Sequence, residues 1–134
     1  EAARLLGCST AQVQSDRIGA AQQLAQQWQA VVVLKGCGSI IATPAGDYFI
    51  NTSGNAGLAT AGTGDVLSGF ITALLAQGWP ALAAAQAGVH VHGCAGDALA
   101  QTLQGCIGFT AGELIPYGRQ LLNQWVAEQL PKHY

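Results

Sequence analysis

Residues 31–50, VVVLKGCGSIIATPAGDYFI, decide the fold class, because they contain three short apolar runs separated by two turn sequences. The first run, 31–34, is β-branched almost throughout, which is typical of a strand buried on both faces, as in a parallel sheet. The second and third runs, 39–43 and 48–50, each follow a short turn that contains glycine. Because tight turns join neighbouring strands, we expect part of the sheet to be antiparallel.

Apolar residues at helical spacing predict helices on both sides of these strands. One amphipathic helix is expected over residues 10–28, with Ser9 or Thr10 as its cap. The stretch that follows 81 is apolar all round, which indicates a buried helix. The other predicted helices run from Val66 to just before Gly78, and from a capping box at 110–113, past Pro116 in the first turn, to Leu130. This order of elements predicts an α/β fold, with three layers if both faces of the sheet are covered.

The composition of the 134 residues excludes several classes of protein. Half of them are hydrophobic, and 5 basic against 7 acidic residues give a net charge of −2, which argues against a nucleic-acid-binding protein. No apolar run reaches the roughly 20 residues that a transmembrane helix needs. The four cysteines form no CxxC pair, and no leader sequence is recognisable, so we expect reduced thiols and a cytoplasmic location.

Charged residues are scarce, at 9% of the chain against about 25% in a typical soluble domain. Other chains or further sequence would explain such a surface. We therefore expect a homo-oligomer in which the Ala-rich helix from Ala81 and the last helix are covered. Since the chain starts at Glu1, we also expect it to be a fragment of a longer polypeptide.

The segment Gly62-Thr63-Gly64-Asp65 stands at the predicted start of a helix and is the first candidate site. Small residues allow a ligand to approach the backbone, and the free N–H groups and dipole of a helix N-terminus favour an anion such as phosphate. Asp65 beside such an anion fits a base that accepts a proton from an attacking hydroxyl. A carboxylate that only caps or charges the helix is an equally good explanation on spacing alone.

The second candidate site is the small-residue turn Lys35-Gly36-Cys37-Gly38-Ser39, which follows the first strand. Ligands of open α/β sheets bind at the carboxyl ends of strands. A plain hairpin turn is the alternative, and it would be preferred if this turn stood alone. The glycine-rich segment before Asp65 matches neither the Walker A nor the dinucleotide-binding pattern.

No metal site is expected from the sequence. His90 and Cys94 share one face of the Ala-rich helix, whereas His92 points elsewhere, and two ligands do not make a zinc site. Helix packing or a subunit contact is the preferred explanation for these side chains. Asp97 on the same helix is expected to be a buried, paired carboxylate.

Three stretches together resemble a known family: VVVLKGCGSIIATP, NTSGNAGLATAGTGDVLSGFITALLAQG and AGVHVHGCAGDALA. They are similar to the C-terminal half of the ADP-dependent NAD(P)H-hydrate dehydratases, a family of the ribokinase-like superfamily. The resemblance implies a ribokinase-like three-layer α/β/α fold, of which residues 1–134 are the C-terminal portion only. The front half of that domain, and any fused NAD(P)H-hydrate epimerase domain, would lie outside this sequence.

The resemblance also implies an activity. Enzymes of this family remove water from the S-epimer of NADH or NADPH hydrated at C6 of the nicotinamide ring. They consume ADP, or ATP in eukaryotic relatives, and release AMP and phosphate, with Mg²⁺ on the nucleotide. A rival within the superfamily is a small-molecule kinase, because GTGD alone indicates only a ribokinase-like enzyme. A further rival is a non-catalytic nucleotide-binding fragment.

The residue roles that the resemblance implies fall on both glycine-rich segments and on one residue between them. Asp65 would contact the hydrate and act as the base, and Asn55 would also bind the substrate. Gly62, Thr63 and Gly64 would form the anion hole for the transferred phosphoryl group. The nucleotide would be bound by Lys35, Gly36, Cys37, Gly38, Ser39 and Gly64.

Overall fold

A computed structural model of the protein describes residues 1–129, in which helices surround one three-stranded sheet. The strands pair in the order β1-β2-β3, with Val33 opposite Ile41 and Ile41 opposite Phe49. The elements are α1 (Ala2–Leu6), α2 (Thr10–Ser15), α3 (Arg17–Trp28), β1 (Val32–Leu34), β2 (Ile40–Ala42), β3 (Tyr48–Ile50), α4 (Thr63–Ala76), α5 (Ala81–Leu103) and α6 (Leu114–Gln129), with 3₁₀ turns at Ala56–Ala59 and Ala111–Glu113.

The three strands lie where the sequence predicts them, and both strand pairs are antiparallel. The antiparallel prediction is therefore confirmed. The parallel environment expected for 31–34 is wrong for residues 1–129, because β1 pairs with β2 across the turn at 35–39. A connection of this length can join only antiparallel neighbours.

Helices cover both faces of the sheet, and β2 at its centre is buried along its whole length. On one face, Ile40 and Ala42 pack against Ala21 of α3. On the other face, Ile41 packs in a cluster with Leu67 of α4 and with two residues of α5, Ala85 and Val89. The three-layer α/β/α arrangement is thus confirmed.

The single helix predicted over 10–28 is wrong, because the structure divides it at Asp16 into α2 and α3. The Asp16 side chain accepts a hydrogen bond from the Gly19 amide at 2.8 Å and caps α3. A short carboxylate that bonds the backbone in this way competes with helix continuation. Ser9 caps α2 through a capping box with Gln12, as one of the two proposed caps.

The Ala-rich helix α5 is buried, as its composition predicts, and it lies between α4 and α6. Ten of its residues are buried, and most are small enough for neighbouring backbones to approach closely. The expectation that an oligomer covers α5 is therefore wrong for most of this helix, since this chain already covers it. The exposed apolar surface includes all of β3 instead.

The C-terminal helix begins as predicted. Thr110 and Glu113 form the capping box, and Pro116 lies in the first turn of α6. The predicted apolar position Leu130 lies outside the described residues. Within residues 1–129, no helix combines the length and the hydropathy that spanning a bilayer requires.

Alanine substitutions at two helical glycines are expected to change stability in opposite directions. A Cβ at Gly93 of α5 would lie 2.8 Å from the backbone carbonyl of Ser53, whereas a Cβ at Gly69 of α4 would meet nothing within 4 Å. We expect Gly93→Ala to lower the free energy of unfolding by about 1–3 kcal/mol through overpacking. Gly69→Ala should raise it by about 0.5–1 kcal/mol, because alanine loses less backbone entropy. Urea unfolding of both variants checks this, and a stable Gly93→Ala protein would contradict the packing described.

Candidate functional site

Helix α4 begins at Thr63, three residues before the predicted start, because Gly62 takes a left-handed conformation with φ +85° as its N-cap. Asp65 is consequently the third residue of the helix. Within residues 1–129 the amides of Gly62 and Gly64 donate no hydrogen bond, whereas the Thr63 amide donates a long one, of 3.4 Å, to the Thr60 carbonyl oxygen. The N–H groups of Gly62 and Gly64, at the positive end of the helix dipole, are available to an anion.

Thr63 is fixed by its side chain as well as by its carbonyl group. It is 5% exposed, and its hydroxyl lies 2.7 Å from the Leu58 carbonyl oxygen and 2.8 Å from that of Thr60. Its carbonyl oxygen lies 2.9 Å from Nε2 of His92 on α5. The hydroxyl and the carbonyl of Thr63 are thus used within the fold, and its amide could contribute to an anion hole only by exchanging its long bond to Thr60 for the anion.

Asp65 is exposed, and within the described residues its carboxylate has no hydrogen-bond partner. The N-cap is Gly62, and no side chain caps the helix. The capping explanation for Asp65 is therefore wrong. A carboxylate in the first turn still gains a favourable interaction with the helix dipole, of about 0.3–1 kcal/mol. Its free oxygens can also accept a proton from a bound hydroxyl.

The turn 35–39 lies against the start of α4. The Lys35 ammonium group occupies the position that a Cβ at Gly64 would take, so glycine lets the end of the lysine side chain approach the helix backbone. The lysine places a positive charge beside the free amides of the helix. The two glycine-rich segments that the sequence selects independently thus form one site.

The turn itself is held by two side chains. The Arg17 guanidinium donates hydrogen bonds to the carbonyl oxygens of Cys37 and of Leu34. Ser39 closes the turn, with its hydroxyl 3.2 Å from the Gly36 carbonyl oxygen. Arg17 was not among the predicted site residues. The sequence indicates Arg17 only through the scarcity of charged residues, since it is the only basic residue between Arg4 and Lys35.

Asn55 has a structural role in the loop before α4. Its side-chain oxygen accepts from the Gly57 amide at 3.0 Å, and its side-chain nitrogen donates to Asp97 at 3.0 Å. Asp97 also accepts from the Gly54 amide at 2.8 Å. The carboxylate expected to be buried and paired is half-buried, and its partners are these two neutral donors. One amide hydrogen of Asn55 remains for a substrate, and that role stays a prediction.

Two faces of α5 carry the side chains of His90, His92 and Cys94, as predicted. The Cys94 sulfur lies 3.6 Å from Nε2 of His90, and the His90 ring stacks on Trp125 at 5.5 Å. His92 points away from this pair, to Thr63. Over the described part of the chain, no three His, Cys, Asp or Glu side chains lie close enough to hold a metal ion.

His92 is a buried polar group at the site, with 8% of its surface exposed. Burial lowers its pKa below the usual 6.5, and the nearby positive charge of Lys35 lowers it further, whereas the hydrogen bond to Thr63 acts in the opposite direction. The imidazole is therefore neutral at pH 7. Since a carbonyl oxygen only accepts, the ring hydrogen is on Nε2.

Residues 1–116 match the sequence profile of a family described as NAD(P)H-hydrate dehydratase. The chain belongs to this family. Among members of the dehydratase family, the ADP-dependent (S)-NAD(P)H-hydrate dehydratase of Neisseria meningitidis serogroup B is 49% identical over 124 residues, which are 92% of this chain and 42% of that protein. The bifunctional NAD(P)H-hydrate repair enzyme Nnr of Escherichia coli K12 is 44% identical over 96% of this chain and 25% of its own length.

Solved structures of dehydratases share the fold. The ADP/ATP-dependent NAD(P)H-hydrate dehydratase of Bacillus subtilis, co-crystallised with ATP and Mg²⁺ and soaked with CoA, superposes with a TM-score of 0.84 at 32% identity. The match covers 92% of this chain and 45% of that one. The chain thus spans less than half the length of the relatives compared.

The lowered pKa of His92 predicts how the stability of the protein depends on pH. Because the folded state binds this proton less well than the unfolded chain, the stability contributed by neutral His92 is fully present above pH 6.5 and is lost as the pH falls towards the folded-state pKa. We expect the free energy of unfolding to fall more steeply below pH 6.5 in the wild type than in His92→Gln. Urea unfolding over this range measures both slopes.

The control for this measurement is His90→Gln, which removes an exposed imidazole two residues away and leaves His92 in place. Equal slopes in the wild type and His92→Gln would contradict the pKa shift.

Proposed function

We propose that this protein is an ADP-dependent (S)-NAD(P)H-hydrate dehydratase, which restores NADH or NADPH from the hydrated form. The observation that carries the proposal is the contact between Lys35 and Gly64, which joins a lysine-bearing turn to a helix N-terminus with free amides. Membership of the dehydratase family then selects this reaction among those that use such a phosphate site.

In the proposed complex, the nucleotide lies over the turn 35–39. Glycines at 36 and 38, with φ +151° and +64°, keep the surface of this turn free of bulky side chains. The phosphates of ADP extend from Lys35 towards Gly64, where the ammonium and the amides are donors. Gly62, Thr63 and Gly64 then surround the transferred phosphoryl group with N–H groups that are already oriented.

Asp65 is proposed as the base for the chemical step. It accepts the proton of the C6 hydroxyl as that oxygen attacks the β-phosphorus, and the bond to the departing AMP breaks. The C6–O bond of the phosphorylated intermediate then breaks as the ring nitrogen supplies its electron pair, and phosphate leaves. Loss of a proton from C5 restores the dihydronicotinamide ring. Phosphate is a far better leaving group than hydroxide, which explains the need for a nucleotide.

Mg²⁺ is proposed to enter with the nucleotide. The ion usually keeps several waters and is bound by substrate phosphates with one or two carboxylates, rather than by a cage of protein ligands. The described residues fit an ion held mainly by the nucleotide, because no three His, Cys, Asp or Glu side chains among them lie close enough to form such a cage. When bound, Mg²⁺ would neutralise phosphate charge.

The test of the proposed function counts the products. The full-length protein is incubated with the S-epimer of hydrated NADH and with ADP or ATP, and recovery of the reduced-nicotinamide absorbance is followed beside AMP, ADP and phosphate. We expect one AMP and one phosphate for each NADH restored when ADP is the donor. A ribokinase-like kinase would instead form a stable phosphate ester of an alcohol, and a non-catalytic fragment would only bind the nucleotide.

Lys35 is expected to contribute to ADP binding through its charged hydrogen bonds to the phosphates. Charge-assisted hydrogen bonds contribute about 1.5–3 kcal/mol, so we expect Lys35→Gln to weaken ADP binding about 10- to 100-fold in calorimetric titrations. Arg4→Gln is the matched control, because it removes an equal charge from an exposed position on α1. Equal ADP affinity in Lys35→Gln and Arg4→Gln would exclude the turn 35–39 as the phosphate-facing part of the site.

Asp65 is expected to be needed for the chemical step and not for folding. Asparagine keeps the size of the side chain but cannot accept the hydroxyl proton, so we expect Asp65→Asn to lower the rate of dehydration about 10²- to 10⁴-fold. Folding and ADP binding should be preserved, because the carboxylate has no partner in the described structure. If the aspartate served only the helix dipole, the variant would lose little activity, and near wild-type turnover would end its assignment as the base.

We also propose that the enzyme is cytoplasmic and can be fused to an epimerase domain.

We further propose that the enzyme is a homo-oligomer. This proposal is supported by the low charge of the chain together with the exposed apolar side chains of β3: Tyr48, Phe49 and Ile50. Light scattering at micromolar concentration is expected to give a mass larger than one chain. A monodisperse monomer would contradict the proposed assembly.

A further inference from the structure

His92 is a buried histidine that packs against the first turn of α4. It belongs to α5, is 8% exposed, and reaches the first turn of α4 with Nε2 2.9 Å from the Thr63 carbonyl oxygen. The edge of Phe70 also meets the imidazole ring, with 6.5 Å between ring centres. A buried imidazole whose one observed polar contact is a single carbonyl group needs an explanation beyond packing.

The Thr63 carbonyl and the Gly64 amide belong to one peptide unit. In a planar trans peptide, the C=O and the N–H point in opposite directions. A donor that holds the Thr63 carbonyl towards α5 therefore holds the Gly64 N–H away from α5. The Lys35 ammonium group lies beside this Gly64.

We infer that His92 is a positioning residue, which orients the Gly64 amide towards the transferred phosphoryl group through the Thr63 carbonyl. The inference rests on the proposed function for its catalytic consequence, although the orientation of the peptide can be tested separately. His92 touches neither the nucleotide nor the hydrate in this account, since its Nε2–H is already donated and its ring is buried.

The side chain of Thr63 is restrained as well as its carbonyl group. The Thr63 hydroxyl is bonded within the loop to the Leu58 and Thr60 carbonyl oxygens. With the hydroxyl and the carbonyl both held, the 63–64 peptide cannot rotate without breaking a buried hydrogen bond. Preorganised amides of this kind stabilise charge in a transition state because they need no reorientation during the reaction.

The neutral state of the imidazole agrees with this role. Burial and the positive charge of Lys35 both lower the pKa of His92, so the ring donates one hydrogen bond without adding a second charge beside the lysine. Because Nε2 carries the hydrogen, Nδ1 must be without one in the neutral ring. The inference thus requires the Nε2–H tautomer at pH 7.

The test uses two amide side chains that differ in reach. The glutamine amide nitrogen can occupy the position of Nε2 and donate to Thr63, whereas the shorter asparagine amide cannot. In the full-length protein we expect His92→Gln to keep wild-type kcat. His92→Asn should lose about 10- to 100-fold in kcat, less than the 10²- to 10³-fold typical of deleting an oxyanion donor. The KM for ADP should change less than about 3-fold, because the effect belongs to the transition state.

His90→Asn is the matched control, as an exposed histidine two residues away that stacks on Trp125. It should retain wild-type kcat. A purely structural role for His92 would lower the fraction of folded enzyme and leave kcat per folded molecule unchanged in His92→Asn. That result would overturn the inference, and so would equal kcat losses in His92→Gln and His92→Asn.

Nuclear magnetic resonance supplies a measurement that does not depend on the activity. The nitrogen shifts of His92 in the wild-type protein are expected to show the Nε2–H tautomer, and the Gly64 amide signal should move in His92→Asn but not in His92→Gln. An Nδ1–H tautomer, or a Gly64 signal unchanged in His92→Asn, would overturn the inference even if the asparagine variant folds poorly. If the wild type lacks dehydratase activity while these shifts appear, the proposed function fails and the orienting contact stands.

Discussion

The first turn of α4 must keep backbone N–H groups without protein acceptors, and the rest of the site is arranged around that requirement. Unpaired amides are costly when they are buried, so the turn lies at the surface, with Gly62 exposed. Glycine at 64 lets the Lys35 ammonium group approach the backbone. A side chain at this position would displace the ammonium group from the start of the helix.

Open amides bind an anion well only if the turn is rigid, and α5 supplies the rigidity. Gly93 and Gly96 let the loop before α4 pack directly on this helix, against Ser53 and Leu58 respectively. Asp97 holds the same loop through the Gly54 amide and Asn55. The Ala- and Gly-rich composition of α5 thus reflects close contact with the loop, and the burial of the helix follows from the same contacts.

The sequence predicts those features that depend on local chemistry. The turn sequences at 35–39 and 44–47 allowed the three strands to be predicted. The small residues before Asp65 likewise predicted a helix N-terminus with free amides. The division at Asp16 was missed because a side-chain cap competes with helical periodicity only once the local geometry is known. The contacts of His92 and Arg17 were missed because both side chains bond backbone carbonyls that are distant in sequence, which spacing does not reveal.

We propose that the hydroxyl of the hydrate is phosphorylated before it leaves, and an oxygen label tests this order of steps most directly. The S-epimer of hydrated NADH is prepared with ¹⁸O in its C6 hydroxyl and is converted by the full-length protein with unlabelled ADP in unlabelled water. We expect the label in the released inorganic phosphate, because the C6–O bond breaks after the O–P bond has formed. Label recovered in water, with unlabelled phosphate, would show that dehydration and nucleotide cleavage are separate reactions, and the hydroxyl would then not be phosphorylated.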